Sequence, residues 1–177
     1  MAFFMEKGKH RSFLLFWILS ILLFSSFTVQ INELKINSAV IILIIGAIIF
    51  YVQCNLKFLF FLATFNVMIC YVALLIWEKI TPIWFFMPSY MQIPFMMVIM
   101  ITIVLDIFYE QIAVTLLGFT LGQLLFELIL FAYGLNDIVG AEIYFIHLSV
   151  IVLFLITLRY IHLIIHKCTT VVKRLFI

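Results

Sequence analysis

Six long apolar runs fill most of this chain, and nothing else in it constrains the fold so tightly. They cover about 12–29, 38–54, 58–77, 89–105, 112–133 and 142–165, and include SFLLFWILSILLF, SAVIILIIGAIIFYVQC, FLFFLATFNVMICYVALLIW and SYMQIPFMMVIMITIVL. A helix needs about 20 mostly apolar residues to cross the hydrocarbon layer. Membrane strands would alternate instead, over about ten residues each. These runs are continuous, so they predict helices. Hydrophobic residues make up 68% of the 177 and charged residues 10%, against roughly 45–50% and about 25% in soluble domains. No soluble fold of this length has enough interior to hide so much apolar surface. The expected fold is all-α: one integral membrane bundle of six transmembrane helices spanning 1–177, with short loops, both termini cytoplasmic and a cytoplasmic tail over 166–177.

The links between runs are VQINELKIN, NLK, EKITPIWFFMP, DIFYEQ and GLNDIVG. The third is too apolar for an ordinary loop. Trp77, Trp84, Phe85, Phe86 and Tyr90 fit an aromatic belt at headgroup depth. Pro82 and Pro88 keep that link out of regular helix, and Pro94 is a candidate kink. With the amino terminus inside, Lys7, Lys9, Arg11, Lys57, Arg159, Lys167, Lys173 and Arg174 fall on the inner side, and only Lys35 and Lys79 outside. The positive-inside rule favours that placement. Ser25 and Ser26 make a poor cleavage site, so the first run is read as a retained helix.

Function classes narrow next. A net charge of +2, dispersed towards the two ends, is no nucleic-acid surface. Cys54, Cys70 and Cys168 lack metal spacing and read as free thiols. No zinc motif, P-loop or dinucleotide fingerprint is present, so no cofactor is expected. The lipid bilayer is the partner that composition itself names. The tail HKCTTVVKRLFI has the mixture of basic and apolar residues suited to an anionic inner leaflet.

The polar residues inside the runs need explaining. LGFTLGQLLFELILF, residues 117–131, carries Glu127 about six residues from its outer end, roughly 9 Å deep. A charge at the bilayer centre costs at least about 2.5–3.5 kcal/mol. Thr120, Gln123 and Glu127 share one helical face with Leu116 and Leu130, and such a stripe should face protein or trapped water. His147, about five residues into the last run, lies at the same level as Glu127. A carboxylate near an imidazole can share a proton. Asn66 is level with Gln123, giving a candidate intramembrane cluster of Asn66, Gln123, Glu127 and His147. Its functional reading is an outward-opening ligand or proton site; its bland reading is a set of interhelical hydrogen bonds. Gly118 and Gly122 form a GxxxG pair suited to helix packing. On the inner side, Asp106 and Glu110 are candidates for an ion pair with Arg159, and snorkelling of Arg159 is the alternative.

TPIW at 81–84, the glycines Gly118 and Gly122, and YGLNDIVG at 133–140 give the chain its resemblance. It resembles the YphA family, small multi-pass membrane proteins of Bacillus-type bacteria with no established activity. Family members begin with one more apolar segment; MAFFMEKGKHR looks like the tail of such a segment and its charged boundary. The turn after the fourth run is basic in the family, whereas this chain has Asp106 and Glu110 there. The resemblance brings no catalytic residues with it.

Three function classes follow. The first is a non-enzymatic protein acting through a membrane-protein partner in the cell envelope; the resemblance implies a Gram-positive cell and sporulation-related processes. The second is a small-molecule-binding transport component, similar to the substrate-binding subunits of energy-coupling-factor transporters. The third is an intramembrane enzyme using Glu127 and His147 as acid and base. His162 and His166, spaced i, i+4, lack a third metal ligand at their depth, so no metal site is expected.

Overall fold

The protein is seen here as a computed structural model that describes residues 9–31, 34–53, 58–81, 88–135, 138–140 and 142–175. The described residues form α1 (Lys9–Phe24), β1 (Thr28–Ile31), β2 (Leu34–Asn37), α2 (Ser38–Gln53), α3 (Phe58–Ile80), α4 (Ser89–Val104), α5 (Phe108–Ala132), β3 (Ile138–Val139) and α6 (Glu142–Leu175). Each expected run holds a helix, with shifted ends. α5 starts at Phe108 rather than near Ile112, because the turn after α4 is tight. Gln111 makes that turn possible: its buried Nε2 donates to the Leu105 carbonyl at 2.6 Å, satisfying a group left open by the end of α4. The tail expected from 166 is helical as far as Leu175.

Among the described residues, three helical segments are long and apolar enough to cross a membrane: Phe58–Ile80, Phe108–Ala132 and Glu142–Ile165. α2 and α4 are also apolar but have 16 residues each, about 24 Å of helix. Pro94 sits inside α4 and is buried. Trp77 and Tyr90 are half-exposed at the facing ends of α3 and α4. Trp84, Phe85, Phe86, Pro82, Cys54 and the NLK turn lie outside the described residues.

Two links expected to be plain loops hold a small sheet instead. β1 and β2 pair antiparallel, with Thr28 opposite Asn37 and Ile31 opposite Leu34. β3 adds parallel to β2, with Lys35 opposite Ile138 and Ile36 opposite Val139. The sheet joins the α1–α2 connection to the α5–α6 connection, so backbone groups in both links pair rather than sit bare beside the bundle. Asn37 works at the same junction: its Oδ1 accepts from Ala39 N–H at 3.0 Å, capping α2, and its Nδ2 donates to the Ser25 carbonyl at 2.9 Å. Gly140 follows β3 with φ +77°, and a Cβ there would collide with Val40 of α2. Only glycine meets both conditions without strain.

α5 is the axis of the bundle, touching α2, α3, α4, α6 and β3. Its buried residues fall on most of its circumference, from Phe108 through Thr115, Phe119 and Glu127. α1 packs on α2, where the Trp17 Nε1–H donates to the Ile42 carbonyl at 3.1 Å. α6 is peripheral. It buries Tyr144, His147, Leu148, Ile151 and Leu155, a single stripe at helical spacing. From Thr157 to Ile165 every residue is exposed.

Candidate functional site

The site begins with two glycines. An added Cβ on Gly118 would stand 2.6 Å from Val67 Cγ1 and 3.2 Å from the Thr64 carbonyl oxygen. On Gly122 it would stand 3.0 Å from Tyr71 Cδ1 and 3.2 Å from the Met68 carbonyl oxygen. The absence of side chains lets α5 approach the α3 backbone. The paired residues rise in number together, so α3 and α5 run parallel. This approach stacks the Tyr71 ring on Phe119, with centroids 4.2 Å apart and planes 28° apart.

The Tyr71 phenol then reaches two helices at once. Its hydroxyl donates to Gln123 Oε1 at 3.3 Å and lies 3.3 Å from His147 Nδ1. Gln123 Nε2 in turn donates to Glu127 Oε1 at 2.8 Å. The imidazole presents itself edge-on to the tyrosine ring, at 89°. All four side chains are buried, with exposures of 0% for Tyr71 and His147, 5% for Gln123 and 4% for Glu127. Glu127 lies five residues before the end of α5, and His147 five after the start of α6. Both are therefore about 8 Å from the end of the bundle that carries the sheet.

The structure brings Gln123, Glu127 and His147 into one network, with Gln123 and Tyr71 standing between the carboxylate and the imidazole. Asn66 does not join it. Its side chain is exposed on α3, and its Oδ1 faces Cys70 Sγ at 3.6 Å. The reason is angular: α3 turns Phe60, Ala63, Thr64, Val67 and Tyr71 inward, and Asn66 lies about 100° from Val67 around the helix. It also differs in depth from Gln123: Gly118 lies against Thr64 and Val67, and Gly122 against Met68 and Tyr71, so Asn66 is level with Gly118 rather than with Gln123 as expected. Thr120 is fully buried but bonds its own helix, donating to the Leu116 carbonyl at 2.6 Å. Tyr71 was the residue that sequence reasoning missed. A signal existed: a phenol deep inside an apolar run, far from the headgroups, needs a polar partner.

At the other end of the bundle, Asp106 and Arg159 line one cleft of about 380 Å³, with Tyr109, Tyr160 and Leu163 among its walls. Both charged side chains are exposed. Glu110 is half-buried on the first turn of α5 and is not among the residues lining this cleft. His162 is exposed on α6. No group of three His, Cys, Asp or Glu able to hold a metal occurs among the described residues. Cys70 is a free, partly buried thiol.

Long apolar helices around a buried polar network define a helical integral membrane protein. Over residues 1–176 the chain matches the family described as YphA-like integral membrane protein. It belongs to that family. No curated protein and no solved structure matches it.

Proposed function

We propose that the chain crosses the membrane six times with both ends in the cytoplasm, and that it acts without catalysis by docking a membrane-protein partner in the cell envelope. The observation that carries this reading is the exposed stretch Thr157–Ile165 of α6. Thr157 is about 22 Å along the helix from Glu142, and Leu175 about 50 Å. The hydrocarbon layer is about 30 Å thick. The exposed stretch Thr157–Ile165 thus straddles the far membrane boundary, and the helix runs on beyond it. In sequence, Leu158, Ile161, Ile165, Cys168, Val172 and Leu175 follow at intervals of three and four. That is the spacing of a helix–helix seam. Lipid can cover its first part, but a seam that continues past the lipid favours a partner helix.

The six crossings are supported by the six apolar helices and by the basic residues at both chain ends. The shorter α1, α2 and α4, of 16 residues each, fit if the bilayer thins locally around them, a modest cost per ångström. Native mass spectrometry on protein gently extracted from its own membrane tests the partner. A co-purifying protein is expected, and it should be lost when Leu158, Ile161 and Ile165 are replaced by alanine while the thermal midpoint stays unchanged. Lipid adducts alone, or a partner retained by the triple variant, would overturn the reading. A reporter fused after Ile177 should report cytoplasm; an extracellular signal would sink the topology.

A further inference from the structure

The buried network has a direction. Gln123 spends its Nε2–H on Glu127 and turns its Oε1 to the Tyr71 hydroxyl, which donates to it. A phenol has one proton. Having given it to Gln123, Tyr71 can only accept from His147, so Nδ1 of His147 must carry a hydrogen to complete the 3.3 Å contact. In an uncharged ring this leaves Nε2 as a bare acceptor. That nitrogen is fully buried and has no hydrogen-bond partner among the described residues. Among the described residues one other buried side-chain atom shares this condition, the hydroxyl of Tyr144, which is 1% exposed. Tyr144 and His147 are three residues apart on α6, on the same face.

The two orphans are complementary. One is an acceptor without a proton to receive, and the other is a hydroxyl with a proton to give. Buried polar groups are nearly always satisfied, and leaving two unsatisfied on one face of a helix in an apolar bundle is costly. We propose that Tyr144 and His147 form a two-point site for a single hydroxyl group, which accepts from the Tyr144 phenol and donates to His147 Nε2. A group that both accepts and donates at one oxygen is required. An ether or carbonyl cannot donate to Nε2, and an ammonium cannot accept from the phenol. The hydroxyl has two sources, a bound water or an alcohol group on a lipid or small metabolite. Tyr71 acts at a distance as a positioning residue, because its hydrogen bond decides which imidazole nitrogen is left bare. The site is independent of the partner reading of α6, whose exposed stretch begins at Thr157.

Nitrogen NMR on histidine-labelled full-length protein, in nanodiscs of its own membrane lipids, tests the site. His147 is assigned by comparison with His147→Gln. The expected spectrum has Nδ1 protonated and Nε2 unprotonated but hydrogen-bonded. Tyr144→Phe keeps the ring and should move the Nε2 resonance towards that of a free acceptor, with Nδ1 still protonated. Tyr71→Phe should let both tautomers appear. Transfer into phosphatidylcholine nanodiscs, whose lipid carries no hydroxyl, separates the sources. An unchanged Nε2 signal assigns the group to water, and a shift towards the Tyr144→Phe position assigns it to an alcohol carried from the membrane. A ring protonated at Nε2 in the unmodified protein would overturn the proposal. So would an Nε2 resonance that Tyr144→Phe leaves in place while Nδ1 stays protonated, which shows the Tyr71 contact intact.

Discussion

α5 and α6 are both long apolar helices, and α6 carries the more apolar crossing segment of the two. Their fates differ. α5 is covered by four other helices and a strand, while α6 buries one stripe and leaves its last exposed stretch bare on every side. Apolarity therefore did not decide burial. In lipid, apolar side chains gain little by leaving one another for the bilayer or the reverse, so close packing and polar pairing sort the helices. α5 has the two glycines that admit α3, and the Gln123–Glu127 pair that lipid would not accept. α6 contributes His147 and Tyr144 to that interior and has no comparable glycine pair.

The contrast can be broken by substitution, with unfolding measured in mixed micelles. Phe119→Ala on α5 should have the largest effect, a loss of about 3–5 kcal/mol, since the ring is fully buried and stacked on Tyr71. Gly118→Ala should cost about 1–3 kcal/mol through overpacking against Val67 and the α3 backbone; an unchanged midpoint would mean that α3 and α5 are not held by this approach. Tyr71→Phe retains the stacked ring and loses both contacts of its hydroxyl. At about 0.6 kcal/mol for an average interhelical hydrogen bond, the total should be about 1 kcal/mol, and a loss as large as that of Phe119→Ala would show the network to be the main support of the core. Leu153→Ala on α6 should be smallest, within about 0.5 kcal/mol, because the side chain is 60% exposed. Equal costs for Phe119→Ala and Leu153→Ala would erase the distinction between axis and periphery.

Much of the interior could be read before the fold was known, and particular residues show why. Thr120, Gln123 and Glu127 follow helical spacing, and a polar stripe on an apolar helix has one acceptable direction, inward. His147 was placed by depth, which depends only on rise per residue and a short connection. Asn66 was misplaced in both depth and angle: the ends of a run fix depth only coarsely across two helices not joined in sequence, and say nothing about the angle around a helix. Tyr71 passed as one more apolar residue because its hydroxyl is invisible to a hydropathy scale. The sheet was missed because β1 and β2 have four residues each, and β3 has two. Strands so short leave almost no alternation to read, and β3 pairs with residues about a hundred positions away.

The sequence by itself determined the solvent, the helical class and the shared level of Glu127 and His147, because length, apolarity and rise per residue are local quantities and a short connection joins those two helices. Tertiary structure alone decided which helix became the axis, which face of α3 turned inward, and that a tyrosine links the glutamine to the histidine. Those outcomes depend on angles between helices, and the angles follow from where two glycines let one backbone approach another.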